Sequence, residues 1–501
     1  MLGLDDYYKQ SGPDEWTESS MERHDLFNFE AKVDYNLEDT TDKKTKYYLD
    51  TFFFIPRSLQ INQQSYSSDQ FFADLNDRIR FKTPQMSVMG LVDDQNDLSP
   101  IQTVLRNLRA IEQGKISDEL KSNINRETRL LACICKTTLR DQFNYFFHQF
   151  YNQNQYVSLF NAVYEYLSRI EELQEKMVKL RKSFMTAHIP EQLRETFNFS
   201  DDYISLQIES WVTKALKLFL SKIEPKVKKK MVQIIEREQD HRKQIKSQLI
   251  IKKEKQNESF SYWESILKKF VQGVLYLTEK QNDPRSSALE MFYSVAAGLA
   301  MFMSLFLGFL LLSNFEENSI PFILVAIVIY MLKDRIKDNV KAISKKAVGV
   351  LIPDRKVDII DSYNDRQIGD YRESMHFLKM KEVPPEVKKI REASNKSIIE
   401  SKGKPEKVFL YKKVFTLYND EIGEIHTRHG NIANIMRFNV KELLRYADDP
   451  IQFESVWNPV TQEIEQVSIA KVYHLNLIFR LRTSTAKNQE NRFYKKVRVV
   501  I

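Results

Sequence analysis

The sequence predicts an α+β protein, mainly helical, in which a central two-helix transmembrane hairpin separates two polar regions. Three observations carry this prediction. Met291–Ser313 runs 23 residues without a charge, about 34 Å as a helix and enough to cross a hydrocarbon core of about 30 Å. Between residues 101 and 222, apolar positions recur at helical spacing with few breaks, as packed amphipathic helices require. Strand-like alternation appears near both ends of the chain, at Phe27–Leu37 and again at Tyr473–Leu481.

Composition bounds the rest. The chain has 501 residues, 42% apolar and 29% charged, the balance of a folded protein of several domains. The mean hydropathy is negative, which excludes a polytopic transporter. Only 12 Gly and 14 Pro occur, with no internal period of 20–50 residues, so collagen-like, linker-rich and solenoid architectures are excluded. The net charge of +7 is concentrated in Lys222–Lys255, with 12 Lys/Arg against 5 Asp/Glu. The remainder is balanced, which argues against a general nucleic-acid coat.

Residues 1–24 read as a polar tail. No basic stretch followed by an apolar one opens the sequence, so no signal peptide is expected. A β-hairpin and helix subdomain is predicted over 25–99. Its strands are Phe27–Leu37 and Lys46–Ile55, joined by a turn at Glu38–Lys44. Its helix is capped by Ser67 or Ser68 and presents Phe71, Phe72, Leu75 and Ile79. A helical domain spans 100–285, with segments near 101–112, 117–151, 155–186 and 201–222 broken at Pro190 and Pro225. Phe143, Phe146, Phe147, Phe150, Tyr145 and Tyr151 read as bundle core. Cys133 and Cys135 lie two apart on a helix, roughly 200° around its axis, so they read as buried thiols rather than a metal or disulfide pair.

The basic stretch 222–255 reads as a solvated helix or coiled-coil arm. Its charge also suits anionic lipid of an inner leaflet; nucleic acid is disfavoured because no stacking aromatics are interleaved. Residues 258–280 form an amphipathic helix, with Trp263 placed to reach headgroup level.

The transmembrane hairpin is predicted over 288–335. Its second segment, Ile320–Leu332, has 13 uncharged residues, about 20 Å of helix, and crosses only if Lys333 and Arg335 snorkel outward. The connecting turn holds Glu316 and Glu317 and no Lys or Arg. The flanks hold Lys280 and Arg285 on one side, and Lys333, Arg335, Lys337 and Lys341 on the other. The positive-inside rule therefore places both termini in the cytoplasm. Gly298 and Gly308, with Ala296, Ala297 and Ala300, allow close helix packing.

Residues 336–405 read as a linker with short helices, and 406–501 as a small β-rich domain with a helix near Val440–Tyr446. The sequence stops inside a strand-like run, Lys496-Val-Arg-Val-Val-Ile501, as a truncated strand would.

Catalytic signatures are sparse. His426 and His429, near Glu421 and Glu424, are the best metal-ligand candidates, yet Gly423 and Gly430 make a turn there and no third ligand follows. No phosphate loop, nucleophile elbow or zinc-protease motif is present, so no catalytic residue and no cofactor is assigned. The two spans carry no charged side chain, and a channel requires oligomerisation.

The run Tyr47-Tyr-Leu-Asp-Thr-Phe-Phe-Phe-Ile-Pro-Arg-Ser-Leu59, with Asp77-Arg-Ile-Arg-Phe-Lys-Thr-Pro84 and the central hairpin, resembles uncharacterised bacterial membrane proteins with such a hairpin. The resemblance extends over most of the chain and implies a bacterial inner-membrane location. It implies no activity and transfers no site residues. The expectation is a membrane-anchored interaction or sensing protein with the lipid bilayer as one partner and another protein, or a second copy, as the other. The alternatives are a tethered enzyme with its site in the C-terminal domain and an oligomeric channel component.

Overall fold

The computed structural model describes residues 21–35, 43–152, 156–186, 188–251, 257–314, 319–393, 406–425, 428, 431–484 and 491–501. The tail, the turn after Tyr35, the tip of the hairpin, the Ser401–Pro405 stretch, His426 and His429 lie outside them in whole or in part. The chain forms two compact units. One is built from residues 1–79, 278–424 and 432–501, the other from 80–277 and 425–431.

The first unit is β-rich. In chain order its strands are β1 (Met21–Arg23), β2 (Asn28–Tyr35), β3 (Lys44–Pro56), β4 (Leu75–Phe81), β5 (Thr278–Asn282), β6 (Arg355–Asp361), β7 (Arg366–Leu378), β8 (Glu406–Tyr418), β9 (Ile432–Asn439), β10 (Ile451–Asn458), β11 (Glu463–Ala470), β12 (His474–Ser484) and β13 (Asn491–Val500). Seven of them make one antiparallel sheet in the order β13-β12-β3-β8-β7-β6-β5. A second sheet runs β1-β2-β9-β4, and β10 pairs with β11 alone.

Each face of the large sheet has its own apolar cover. On one, Phe52, Phe54, Val408, Leu410 and Ile478 meet Val383 and Val387; Val387 belongs to a helix at Pro385–Glu392. On the other, alternate residues of β8 face the smaller sheet. Phe409 stacks on Phe53 at 4.4 Å, Phe415 stacks on Tyr35 at 4.4 Å, and Phe53 reaches Phe438 of β9.

An N-terminal hairpin is present, and its strands are β1 and β2. Lys44–Pro56 goes elsewhere: β3 pairs with β8 and β12, more than 300 residues away. The first helix, α1 (Ser68–Asp74), is capped by the Ser67 hydroxyl as expected, but it stops before Leu75. Leu75 and Ile79 lie in β4 instead, where the alternation of Leu75, Asp77, Ile79 and Phe81 outweighs a coincidental helical spacing. The stretch expected to be a linker holds β6 and β7, two interior strands of the sheet. Their inward positions include Asp370 and Glu373, so the apolar alternation that marks a strand is masked.

The second unit is a helical bundle: α2 (Val88–Val92), α3 (Pro100–Glu112), α4 (Asp118–Asn152), α5 (Tyr156–Phe184), α6 (Glu191–Phe219), α7 (Pro225–Gln244) and α8 (Glu258–Gln272). Phe143 and Phe146 are buried and pack edge-on against the Tyr166 ring, while Tyr145 and Tyr151 are exposed. Cys133 and Cys135 are buried free thiols, and burial pushes both up to about 12.

The basic stretch is not a projecting arm. Val227, Met231 and Ile234 of α7 are buried, and a polar seam joins α5, α6 and α7. Asp201 accepts hydrogen bonds from Arg181 and His241, each at 2.9 Å, and Arg242 pairs with Glu209. Lys222 lies over Tyr156, and Lys226 and Lys230 over Tyr164. Lys228 and Lys229 remain exposed. Helix α8 is likewise held by protein, with Leu267 and Val271 buried and Arg129 hydrogen-bonded to the Phe270 carbonyl.

Between β5 and β6 the first unit inserts a helical hairpin, α9 (Pro284–Asn314) and α10 (Ile320–Leu351). Its apolar side chains are largely uncovered, with Phe302 at 64% and Phe309 at 72% exposed. A buried core helix shows the opposite pattern. Helix α9 is the one helix among the described residues long and apolar enough to cross a membrane. Helix α10 meets Lys333, Asp334, Arg335 and Lys337 after 13 residues. Ala296 and Ala300 are buried where the two helices pack, whereas Gly298 and Gly308 face open space. The close contact is made by the alanines.

Candidate functional site

The expected basic flanks have different local roles. Arg285 opens α9 and is tied down, donating from Nε to the Ile352 carbonyl at 3.1 Å and pairing through its guanidinium with Asp354. This clasp joins the start of the hairpin to its end. Lys280 is exposed in β5 and is in register with Asp358. Lys333 lies over the Tyr330 ring at 4.6 Å and Lys341 over Tyr293 at 5.5 Å. Arg335 is exposed and Lys337 half-buried. Among the described residues, no group of three or more His, Cys, Asp and Glu is arranged to hold a metal.

The strongest concentration of chemistry lies in the first unit, on the face of the large sheet that meets the smaller one. Lys413 of β8 is fully buried. Strand alternation puts it in phase with Phe409, Tyr411 and Phe415, where an apolar side chain is the ordinary occupant. Its ammonium pairs with Asp77 of β4 and lies 3.6 Å from Glu373 Oε1. It also sits 3.9 Å from the centre of the Tyr371 ring. Asn434 of β9 donates to the other Asp77 oxygen, and the Tyr411 hydroxyl donates to Glu373. On β5, Glu279 accepts from the Tyr371 hydroxyl at 2.7 Å and from the Ile79 amide at 3.1 Å.

Register explains why these groups meet. Glu373 is the direct partner of both Lys413 and Arg355, and Tyr371 is the partner of Phe415 and Val357. Cross-strand partners share a face, so one band of the sheet carries the charged residues and the next the aromatic ones. Beside them is a cavity of about 290 Å³, bordered by Asp77, Glu279, Gln281, Arg355, Tyr371 and Glu373 among others.

The electrostatics follow from burial. Desolvation pushes the Glu373 carboxyl above the ordinary range despite the neighbouring Lys413. Desolvation, reinforced by Asp77, does the same to Glu279. Burial opposes the charge on Lys413, but Asp77 and Glu373 more than offset it, and its pKa is raised. The chamber therefore holds an ammonium firmly and two carboxyls reluctant to ionise. An arrangement of this kind can store a proton or rearrange around a charged solute.

Sequence reasoning did not single out this cluster. A lysine and a glutamate in the apolar phase of strands, Lys413 between Tyr411 and Phe415 and Glu373 between Tyr371 and Met375, are the signal that marks it. Asp77 lies in the run that carries the resemblance, and Glu279 at the end of the expected amphipathic helix 258–280, where the structure has β5. Comparison with protein-family models, with curated proteins and with solved structures finds no match to the chain.

Proposed function

We propose that this is a membrane-anchored sensing or interaction protein, and that the charged chamber is its input site. The observation that carries the reading is the placement of the hairpin. The strands that supply Glu279, Gln281, Arg355 and Val357 to the chamber, β5 and β6, are the same two strands that carry α9 and α10. Glu279 is five residues from the start of α9, and Arg355 four residues past the end of α10. A solute or proton that shifts the balance among Asp77, Glu373 and Lys413 acts at the root of the membrane segment.

In this reading α9 and α10 both cross a bacterial inner membrane, and both polar units lie in the cytoplasm. The apolar exposure of α9 and the basic residues at both hairpin ends support that topology. Lys228 and Lys229, left exposed on α7, are available to anionic headgroups.

The test is hydrogen exchange on the full chain in lipid nanodiscs. Glu279→Gln and Tyr371→Phe are expected to raise amide exchange in Asn282–Arg285 and Ile352–Arg355 at least threefold. Exchange confined to β7 and β8, with the hairpin root unchanged, would overturn the coupling. A reporter fused after Asn314 that works only in the cytoplasm would overturn the topology.

A further inference from the structure

The ribbon β10–β11 is the most anomalous surface in the first unit. Its strand residues are almost all exposed. Phe453, Trp457 and Ile464 are uncovered at 65%, 57% and 71%. Two strands alone are marginal in water, and this pair buries neither face.

Register sorts its side chains. Ile451 faces Ala470, Phe453 faces Ser468, and Trp457 faces Ile464, so these share one side. Glu454 pairs with Val467, Val456 with Glu465, and Asn458 with Glu463, which puts all three acids on the other. One side is thus aromatic and uncharged, while the other carries all three acids among Val456, Val467 and Ile469. No Lys or Arg occurs from Ile451 to Ala470.

Its root is equally informative. The ribbon leads into β12 at His474. The first residues of β12 pair with the last of β3, and the last of β3 with the first of β8. The first of β8 lie beside the last of β7, and β6 begins, and β5 ends, at that same end of the sheet. The ribbon and the α9–α10 hairpin therefore leave the sheet from one end.

We propose that the β10–β11 ribbon is a second membrane contact, laying Ile451, Phe453, Trp457 and Ile464 into the headgroup boundary of the bilayer that α9 enters. This rests on α9 being a membrane span. Aromatic side chains favour that boundary, and apolar area rather than charge drives the binding. The acidic face turns to water. A second copy of the chain is the poorer occupant. One face of an eight-residue pair offers roughly 260 Å², against about 800 Å² per partner in a stable interface.

The experiment uses the full chain in phosphatidylcholine nanodiscs, with Trp16, Trp211 and Trp263 replaced by Phe so that Trp457 alone emits. Lipids brominated on the acyl chain near the headgroup are expected to quench Trp457 at least twofold, and Phe453→Glu to remove most of that quenching. A parallel variant, Phe302→Trp with all four native tryptophans replaced by Phe, reports on α9. If the α9 probe is quenched and Trp457 is not, the ribbon proposal fails while the membrane reading stands. If neither is quenched, both fail. Efficient disulfide cross-linking between copies through Ser455→Cys, with Trp457 unquenched, assigns the face to a second copy and also overturns the proposal.

Discussion

Replacing Lys413 by methionine keeps the length of the side chain and removes its charge. Asp77 and Glu373 then face each other's surroundings without the ammonium that now pairs with both. Breaking a buried ion pair from one side costs about 3–5 kcal/mol, because the remaining charge stays desolvated. At about 2–4 °C per kcal/mol for a unit of this size, K413M is expected to unfold roughly 6–20 °C below the wild type at pH 8. The pH dependence gives a sharper test. The folded-state pKa of Glu373 already lies above the ordinary glutamate value of 4.5. A raised carboxyl contributes stability that is complete below the unfolded pKa and is lost as pH rises through the folded one. Removing Lys413 raises the folded value further, so the loss grows toward alkaline pH and shrinks toward acid pH, where Glu373 takes up a proton. Thermal unfolding in detergent at pH 5 and pH 8 reads the difference. Adding Asp77→Asn should recover part of the loss. A deficit equal at the two pH values, or below about 1 kcal/mol at pH 8, would refute this account of the chamber.

Two further outcomes are expected. In the second unit, burial alone would raise the Asp201 carboxyl, but hydrogen bonds from His241 and Arg181 outweigh it and hold it below the ordinary aspartate value of 3.8. Its stabilisation is therefore present above that value and lost as pH falls through the lowered one. Asp201→Asn should cost about 3 kcal/mol at pH 7 by thermal unfolding, and an unchanged midpoint would show that the seam contributes nothing. In the first unit, a Cβ at Gly369 would sit 2.5 Å from the Thr416 carbonyl oxygen, so β7 has to move away from β8. Gly369→Ala should lose about 1–3 kcal/mol, whereas Gly423→Ala, with nothing near its Cβ, should not; equal effects would contradict the register.

The parts legible in the sequence are those whose structure is local. Helices α3 to α6 fall within a few residues of their expected bounds, save that α6 starts earlier, because Leu, Ile and Phe repeat at helical spacing and Pro190 and Pro225 mark breaks. Cys133 and Cys135 are buried as read, and the uncharged run Met291–Ser313 lies within α9. What escaped is non-local. Nothing near Lys46–Ile55 states that its partners begin at Glu406 and His474, and a chain split at the hairpin hides a sheet drawn from both sides of it. Strand β7 was hidden because Asp370 and Glu373 occupy inward positions, and β10–β11 because its apolar residues cover no core. The chamber was invisible for a related reason: Asp77, Glu279, Glu373 and Lys413 come from four separate stretches and meet only when the sheets close.

The central position of β3 constrains how the chain can be made. Phe52, Phe53, Phe54 and Ile55 leave the ribosome early, yet β8 follows some 350 residues later and β12 later still. At about 5–20 residues per second, this apolar strand waits roughly 20–70 s for a neighbour. During that interval the hairpin is synthesised and meets the membrane. Strand β3 must be shielded until β8 arrives, so a chain stalled after α10 should be a client of chaperones and proteases although helices α2 to α8 have already been made.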